Sequence, residues 1–316
     1  MRGLLIVNPK ATATTTRSRE VLVRALGSDL KLDVVETARR GHARDLARQA
    51  TDDGLDVVVA LGGDGTVNEV VNGLLAHGPG PDVPSLAVVP GGSTNVFTRS
   101  LGMPRDPVEA TGEILDALRA GRRRVLGLGL LLDPIAEQSP TDRWFTFCAG
   151  LGLDAEVVRE VEARRHKGSR STPALYIRTA LQHFFTGTDR KHPVLTVKCP
   201  GEDPIEGVFF TVISNTRPWT YLGDRPVNPT PLADFDNGLD LFALTRLRTV
   251  STLRALRQIL VGGKVPHGKQ VLTRHDLPDL LLTAARPLAC QVDGEYLGER
   301  EAARVRAVPR ALSVIA

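Results

Sequence analysis

Small and polar residues follow an apolar run early in the chain, in a pattern that could bind an anion. The segment Val57–Leu75 reads VVVALGGDGTVNEVVNGLL, in which a strand would enter a helix through Gly62, Gly63, Asp64, Gly65 and Thr66. A glycine turn between a strand and a helix presents main-chain N–H groups at the helix N-terminus, where phosphate commonly binds. A β-branched side chain at Gly63 would then occupy the phosphate's place and resist a positive φ. The spacing matches neither the dinucleotide nor the Walker fingerprint, and a tight turn capped by Thr66 is the alternative.

Two further loops place small and polar residues after apolar runs. Asn8 and Pro9 follow the first run, in VNPKA, and Ser93, Thr94 and Asn95 end the segment VVPGGSTN. If the three runs are parallel strands, their carboxyl ends meet at the edge where open α/β sheets bind ligands. We therefore expect one phosphate-binding crevice built from three loops.

Two groups of acids elsewhere have spacings that suit chemistry. In CQVDGEYL, Asp293 and Glu295 stand on either side of a glycine. In an extended segment residues two apart point the same way, so both carboxylates would face one site, with a plain D-G-E turn as the alternative. The segment PLADFDNGLDLFAL carries a second group of closely spaced acids, for which an acidic β-turn at Asn237 and Gly238 is one interpretation.

The elements that would position these residues change character near Arg124. Before it, apolar runs alternate with helical patterns, which predicts a parallel sheet and helices near 17–26, 41–51, 66–76, 95–100 and 107–120. After it, strand-like runs predominate, and helices are expected only near 155–165, 172–185 and 250–260. We predict an α/β domain over residues 1–124 and an antiparallel β domain over 125–316, whose last strand could pack back on the first domain.

Composition and charge exclude several classes of protein. The 316 residues are 42% hydrophobic and 24% charged, as in soluble globular proteins. The start lacks the apolar run of a signal peptide, and no stretch approaches the roughly 20 apolar residues of a membrane span. Three widely spaced cysteines predict a reducing cytoplasm without disulfides or zinc. The net charge is +4, yet residues 158–192 carry eight Lys or Arg against three acids, which favours a solvated face or a surface for anionic lipid.

Six segments, in order, resemble the diacylglycerol kinase catalytic-domain family, bacterial lipid kinases related to sphingosine kinases and more distantly to NAD kinases. They are NPKA, ALGGDGTVNEVVNGL, VVPGGSTNVFTRSLG, CAGLGLDAEVV, DFDNGLDLFAL and CQVDGEYLG, and together they extend over nearly the whole chain. The resemblance implies an N-terminal α/β domain with a parallel sheet that binds ATP. It also implies a C-terminal antiparallel β-sandwich domain that receives a lipid.

The resemblance implies that the three loops bind the phosphates of ATP. The implied contacts are Asn8, Pro9, Lys10, Ala11, Thr12, Thr37, Gly62, Gly63, Asp64, Gly65, Thr66, Val67, Asn68, Glu69, Gly92, Ser93, Thr94 and Asn95. Asp64 would hold Mg²⁺ directly or through water.

A base and a structural metal site are also implied by the resemblance. Glu295 matches the family's proton acceptor, with Asp293 as its partner or the alternative, and Asp64 is a third candidate. The family's structural Mg²⁺ site maps onto Asp234, Asp236, Asn237, Leu239 and Asp240. Asn237 stands where an aspartate is expected, so one negative charge is lost and the affinity for Mg²⁺ should fall.

These features predict an ATP- and Mg²⁺-dependent lipid kinase that phosphorylates a hydroxyl of diacylglycerol or a similar lipid in the cleft between the two domains. A soluble-substrate kinase of the NAD-kinase type and a nucleotide-sensing protein without catalysis are the alternatives. The expected partner is a lipid at a membrane surface rather than a nucleic acid, and a homodimer is left open. We expect the protein in the cytoplasm, with peripheral association at the inner face of the membrane also open.

Overall fold

The chain folds as two compact units. The structure, a computed structural model, describes residues 1–11, 15–134, 139, 141–166 and 192–316. Unit 1 comprises residues 1–128 and 309–316, and unit 2 comprises residues 129–308. The predicted helix at 172–185, most of the basic stretch 158–192 and the predicted ATP contact Thr12 lie outside the described residues.

Unit 1 is built on a parallel sheet. Its strands are β1 (Arg2–Val7), β2 (Lys31–Glu36), β3 (Val57–Gly62) and β4 (Ser85–Pro90). They pair in the order β2-β1-β3-β4, and all three pairings are parallel. Strands β3 and β4 are buried along their whole length, which explains why their sequences lack polar alternation. The last strand of the chain ends beside β4, where Val314 pairs in parallel with Leu86.

Helices follow the strands of unit 1. They are α1 (Thr16–Leu26), α2 (His42–Asp52), α3 (Asp64–Leu74), α4 (Val96–Ser100) and α5 (Pro107–Ala120). The helix α5 has strong local signals, because Asp106 caps its first turn, Pro107 occupies the first position and Gly121 ends it at a φ of 65°. An apolar core including Leu5, Val59 and Ile114 lies between the sheet and α1 and α5.

Unit 2 contains antiparallel strands, most of them short, and two helices among its described residues. The strands from 124 onward are β5 (Arg124–Leu132), β6 (Arg143–Phe145), β7 (Cys148–Leu151), β8 (Leu195–Lys198), β9 (Ile205–Val208), β10 (Phe210–Ser214), β11 (Thr220–Leu222), β12 (Arg225–Val227), β13 (Leu239–Leu244), β14 (Val271–Leu277), β15 (Asp279–Val292) and β16 (Glu295–Val314). The helices are α6 (Leu153–His166) and α7 (Thr249–Val261).

The long strand β15 organises the sheet of unit 2. It pairs with β16 along most of its length, with β8 near its start and with β7 near its end. The order then continues from β7 through β10 and β13 to β14, all antiparallel. The predicted fold class, a parallel α/β part followed by an antiparallel β part, is confirmed. No helix in the described ranges has the length and hydrophobicity to cross a membrane.

The strand-like runs predicted after Arg124 include WFTFCAGLG, EGVFFTVISN and LLLTAARP, and the strands of unit 2 differ from them in detail. WFTFCAGLG forms two strands, β6 and β7, and residues 206–215 are split between β9 and β10. The hairpin of β11 and β12 and the strand β14 were not predicted. LLLTAARP belongs to β15, which continues to Val292, and the exposed residues Arg286 and Pro287 interrupt its apolar pattern.

Candidate active site

The three predicted loops of unit 1 meet at the carboxyl ends of β1, β3 and β4. Asn8 joins the first two, because its Nδ2 donates to Thr66 Oγ1 at 2.9 Å and its main-chain N–H donates to Leu61 O at 2.9 Å. Gly91 joins the third loop to the second, since its N–H donates to Gly62 O at 2.8 Å. The structure thus brings the three loops together at one edge of the sheet of unit 1, and the phosphate-binding crevice expected there stays a prediction.

Glycines are needed in the second and third loops because the main chains of the two loops lie so close that a Cβ would collide with the opposite loop. A Cβ added at Gly92 would lie 2.7 Å from the Cα of Gly63, and one at Gly91 would lie 3.0 Å from the Cα of Gly62. Gly63 itself has a φ of −91°, which any residue adopts, so the expected positive φ is wrong. The close approach of the two loops therefore accounts for glycine at these positions, and an approach of phosphate to Gly63 stays a prediction.

Asp64 is the first residue of α3, which begins two residues before the predicted start at Thr66. Its carboxylate is half-buried, and Oδ1 accepts the N–H of Phe97 in α4 at 3.1 Å. The first N–H groups of a helix lack intrahelical acceptors and favour an anion. Mg²⁺ in nucleotide sites commonly takes one or two carboxylates together with phosphate oxygens and water. A single acid beside an anion-binding helix start fits that donor set, so Asp64 suits the predicted role.

Residues after Thr66 direct their side chains into unit 1. Val67 and Asn68 are 1% and 0% exposed. Glu69 supports the start of α2, because its carboxylate accepts the N–H groups of Gly41 at 2.8 Å and Ala43 at 3.2 Å. The predicted contacts of these residues with ATP stay predictions, and Glu69 has a structural role that the sequence did not reveal.

The third loop is braced by Asn95. Its Oδ1 accepts the N–H of Gly92 at 2.9 Å, and its Nδ2 donates to the carbonyl of Gly92 at 2.8 Å. Asn95 has a φ of 50°, a left-handed conformation that asparagine tolerates. This bracing leaves Ser93 exposed and Thr94 half-buried at the loop surface.

Other predicted contacts lie at the rims of these loops. Pro9 and Lys10 are exposed, and Ala11 is half-buried with its N–H donated to Asn8 O at 2.9 Å. Thr37 directly follows β2, and its N–H donates to Val7 O at 2.8 Å, which places it beside the first loop.

In unit 2 the D-G-E segment is the turn of a hairpin. Asp293 and Gly294 have φ angles of 48° and 76°, and Val292 of β15 pairs with Glu295 of β16. Two residues with positive φ and the sequence Asp-Gly form the turn that matches the twist of antiparallel strands. The expectation that the segment is extended, with both carboxylates on one side, is therefore wrong. The alternative, a plain turn, describes the geometry.

The carboxylate of Asp293 is buried and accepts four hydrogen bonds from one short segment. Its Oδ2 accepts the N–H and the hydroxyl of Thr146 at 2.7 and 2.9 Å, and its Oδ1 accepts the N–H groups of Phe147 and Cys148 at 3.0 Å each. These contacts fix the connection between β6 and β7. A carboxylate used in this way is a structural anchor, although its predicted catalytic role has not been tested.

Glu295 forms an ion pair that the sequence did not indicate. Arg143 Nη2 lies 3.2 Å from Glu295 Oε2, and the two side chains are only 15% and 12% exposed. Among the described residues, the buried Nε of Arg143 has no hydrogen-bond partner. The ion pair allows Arg143 to orient the Glu295 carboxylate. The two residues are 152 positions apart in the sequence, which explains why no local spacing links them.

A second buried acid supports the hairpin. Asp154, in the first turn of α6, accepts a hydrogen bond from Gln291 Nε2 at 2.7 Å, and Gln291 Oε1 accepts the N–H of Gly294 at 2.9 Å. Burial raises the pKa of Asp154 to about 7, and the bond from Gln291 opposes that rise. Gln291 therefore bridges the Asp154 carboxyl to the turn of the hairpin. A lone glutamine in a strand carries no sequence signal, so Gln291 was missed.

The predicted structural Mg²⁺ site is not a cage of carboxylates. The described part of the chain gathers no cluster of three or more His, Cys, Asp or Glu side chains that could hold a metal. Asp240 Oδ1 lies 2.7 Å from His275 Nδ1 and accepts the N–H of Asp276, while Asp234 Oδ1 accepts the N–H of Asp236 at 3.3 Å. Asn237 is exposed. The side chains of this segment therefore do not fit Mg²⁺ well, and the site stays a prediction.

Comparison with known proteins bears on the whole chain. A family model described as the diacylglycerol kinase catalytic domain matches residues 2–126. A protein of Stenotrophomonas maltophilia named "Probable lipid kinase YegS-like" is 30% identical over 313 residues, which cover 98% of this chain and 94% of that protein. The protein named diacylglycerol kinase in Bacillus subtilis is 32% identical over 171 residues, 52% of this chain and 50% of its own.

A solved structure shares the fold. It is described as a diacylglycerol kinase from Bacillus anthracis, and it matches this chain with a TM-score of 0.70 at 18% identity, covering 99% of this chain and 96% of its own. The 30% identity with the Stenotrophomonas protein extends over nearly the full length of both sequences, and this match identifies the family without the structure. The chain belongs to the diacylglycerol kinase catalytic-domain family of lipid kinases.

Proposed function

We propose that this protein is an ATP- and Mg²⁺-dependent kinase that transfers the γ-phosphoryl group of ATP to a hydroxyl of diacylglycerol or a similar lipid. The observation that carries the proposal is the junction of the three loops of unit 1, where Asn8 is hydrogen-bonded to Thr66 and Gly91 to Gly62 beside Asp64. Such main-chain loops at strand ends suit the phosphates of a nucleotide. The names of the relatives supply the acceptor class, a lipid.

In this proposal the loops of unit 1 bind the phosphates, and Asp64 holds Mg²⁺. The ion, when bound, offsets the charge on the phosphoryl oxygens. Glu295 takes the proton from the lipid hydroxyl as the hydroxyl oxygen bonds to the γ-phosphorus and the bond from that phosphorus to the bridging oxygen breaks, releasing ADP. Arg143 orients Glu295, and Asp293 holds the turn from which Glu295 extends. We place this reaction at the cytoplasmic face of the membrane.

The test is a transfer assay with the purified protein. ATP labelled at the γ-phosphate, Mg²⁺ and a total bacterial lipid extract are incubated with the protein, and products are separated by thin-layer chromatography. The account predicts a labelled lipid with the wild type and almost none with Glu295→Gln. The variant Glu301→Gln is the matched control, because Glu301 is an exposed glutamate on the same strand.

Two other results would contradict the proposal. Label transferred to NAD⁺ and not to lipid would indicate a soluble-substrate kinase. Binding of ATP without transfer to any acceptor would indicate a nucleotide sensor.

A further inference from the structure

An exposed face of unit 2 carries large apolar side chains. The helix α7 buries Ala255 and Ile259 against an apolar cluster at 1% and 9% exposure. On the other side, Val250, Leu253 and Val261 are 75%, 48% and 66% exposed. At 100° per residue these three lie within about a third of the helix circumference. The outer face of α7 is therefore apolar where a solvent-exposed helix would be polar.

The stretch of chain that contains α7 is strongly basic. Between Asp240 and Asp276 it has no acid and seven cations, Arg246, Arg248, Arg254, Arg257, Lys264, Lys269 and Arg274, of which Arg274 is paired with Glu202. Arg254 and Arg257 are exposed, and by helical periodicity Arg257 lies between the exposed apolar residues of α7 and Arg254 lies next to Val261. We call Val250, Leu253, Arg254, Arg257 and Val261 the basic apolar face.

The charges at the start of α7 act against the helix itself. Arg248 is the N-cap residue, provides no side-chain cap, and the first turn contains no acid. A cation at a helix N-terminus opposes the helix dipole, which favours anions there. Arg248 thus costs the helix stability that an anionic partner near its N-terminus would restore.

We propose that the basic apolar face docks on an anionic lipid bilayer. Cations attract the acidic headgroups, and valine and leucine side chains between them enter the boundary between headgroups and acyl chains. The alternative partners fit less well. A second copy of the chain, docked face to face, would oppose cation to cation. A nucleic acid would match the charge but would leave the central apolar side chains without an apolar contact.

This inference deepens the proposed function, and rests on it for its setting, by naming where the chain meets the membrane that holds its lipid. Its test uses no ATP and measures no transfer, so the two proposals fail separately. The full chain is sedimented with vesicles of phosphatidylglycerol mixed into phosphatidylcholine, and with vesicles of phosphatidylcholine alone. The fraction bound is measured over a range of lipid concentrations.

The expected effects differ for charge and for apolar contact. Arg254→Gln with Arg257→Gln should weaken binding to the anionic vesicles by about fivefold per cation, roughly 25-fold in all. Val250→Ser with Val261→Ser should weaken it by about tenfold. Raising the salt well above about 0.1 M should weaken the binding of the wild type by a larger factor than the binding of the arginine variant, because the variant has two fewer cations to screen.

The matched control is on α1, where Val21 is 52% exposed and Arg24 is exposed. Val21→Ser with Arg24→Gln should bind like the wild type. Equal binding to the two kinds of vesicle, or α7 variants that bind like the control, would overturn the proposal. A shift of Val250→Ser with Val261→Ser from dimer to monomer in analytical ultracentrifugation would assign the face to a second copy instead. Loss of duplex DNA binding by the arginine variant, with vesicle binding unchanged, would assign it to nucleic acid.

Discussion

The two candidate regions are built on different principles. In unit 1 the main chain dominates the candidate site, because Gly63 and Gly92 allow two loops to approach closely at the start of α3. In unit 2 side chains dominate it, since Asp293 is anchored by four donors and Glu295 is paired with Arg143. The first suits the binding of phosphate, and the second suits the handling of a proton.

The contrast also separates two acids that stand next to the same glycine. Asp293 is 5% exposed and its oxygens are filled by main-chain and hydroxyl donors. Glu295 begins β16 with a partly exposed carboxylate beside a cation. Burial and partners therefore favour Asp293 as the scaffold and Glu295 as the base.

The largest effect is expected at Glu295. Glu295→Gln keeps the size of the side chain and removes the base, so turnover at saturating ATP and lipid should fall by about 10²–10⁴-fold. ATP affinity should stay near the wild-type value, because the loops of unit 1 are untouched. Steady-state kinetics and calorimetry with ATP measure the two quantities. Turnover like that of the Glu301→Gln control would move the role of base to another acid.

The scaffold role of Asp293 predicts a loss of stability. Asp293→Asn removes the charge and places an NH₂ group against donors of the Thr146–Cys148 segment, which should lower the free energy of unfolding by about 3–5 kcal/mol. Urea unfolding followed by circular dichroism measures it. Asp279→Asn is the control, because its partner Arg304 is exposed and such surface pairs contribute at most about 1 kcal/mol. Equal effects in the two variants would remove the anchor role.

Asp154 predicts a dependence of stability on pH. Its folded-state pKa of about 7 lies above the ordinary value of 3.8, so folding takes up a proton between these values. The wild type should therefore lose stability as pH rises from about 4 to about 7, by roughly 2–4 kcal/mol from this group, and then level off. Asp154→Asn removes the titration, so the difference between variant and wild type should grow over that range. Parallel profiles in urea unfolding at several pH values would contradict the raised pKa of the buried Asp154 carboxyl.

The smallest effect tests the main-chain surface of unit 1. Gly92→Ala places a Cβ 2.7 Å from the Cα of Gly63 and should force the two loops apart. Loss of one hydrogen bond to phosphate would weaken ATP binding by roughly tenfold. Calorimetry measures it, with Gly112→Ala as the control because an added Cβ there meets nothing within 4 Å. Unchanged ATP affinity in Gly92→Ala would show that phosphate binding does not depend on the close packing of Gly92 against Gly63.

Local signals were sufficient for much of the fold. The bounds of α5 were predicted to the residue, since Asp106, Pro107 and Gly121 mark them within the segment itself. The loop beginning at Gly62 was placed correctly because an apolar run and a helical pattern flank it.

Contacts distant in sequence were beyond such signals. Asp293 and Thr146 are 147 residues apart, and neither motif nor periodicity predicts that one binds the other. The Asp-Gly turn itself was readable, because this dipeptide favours two positive φ angles between strands. The expectation of an extended D-G-E segment was therefore wrong although the dipeptide pointed to a turn. Only the contacts in the fold show that the carboxylate of Asp293 is bound by the Thr146–Cys148 segment.

The division of roles between the two acids is tested most directly by the turnover of Asp293→Asn. The rate is measured at saturating ATP and lipid, at a temperature where circular dichroism shows the variant folded, beside Glu295→Gln. The account predicts a rate within about tenfold of the wild type for Asp293→Asn, because the base is still present. A loss as large as that of Glu295→Gln would contradict it and make the two acids one catalytic unit.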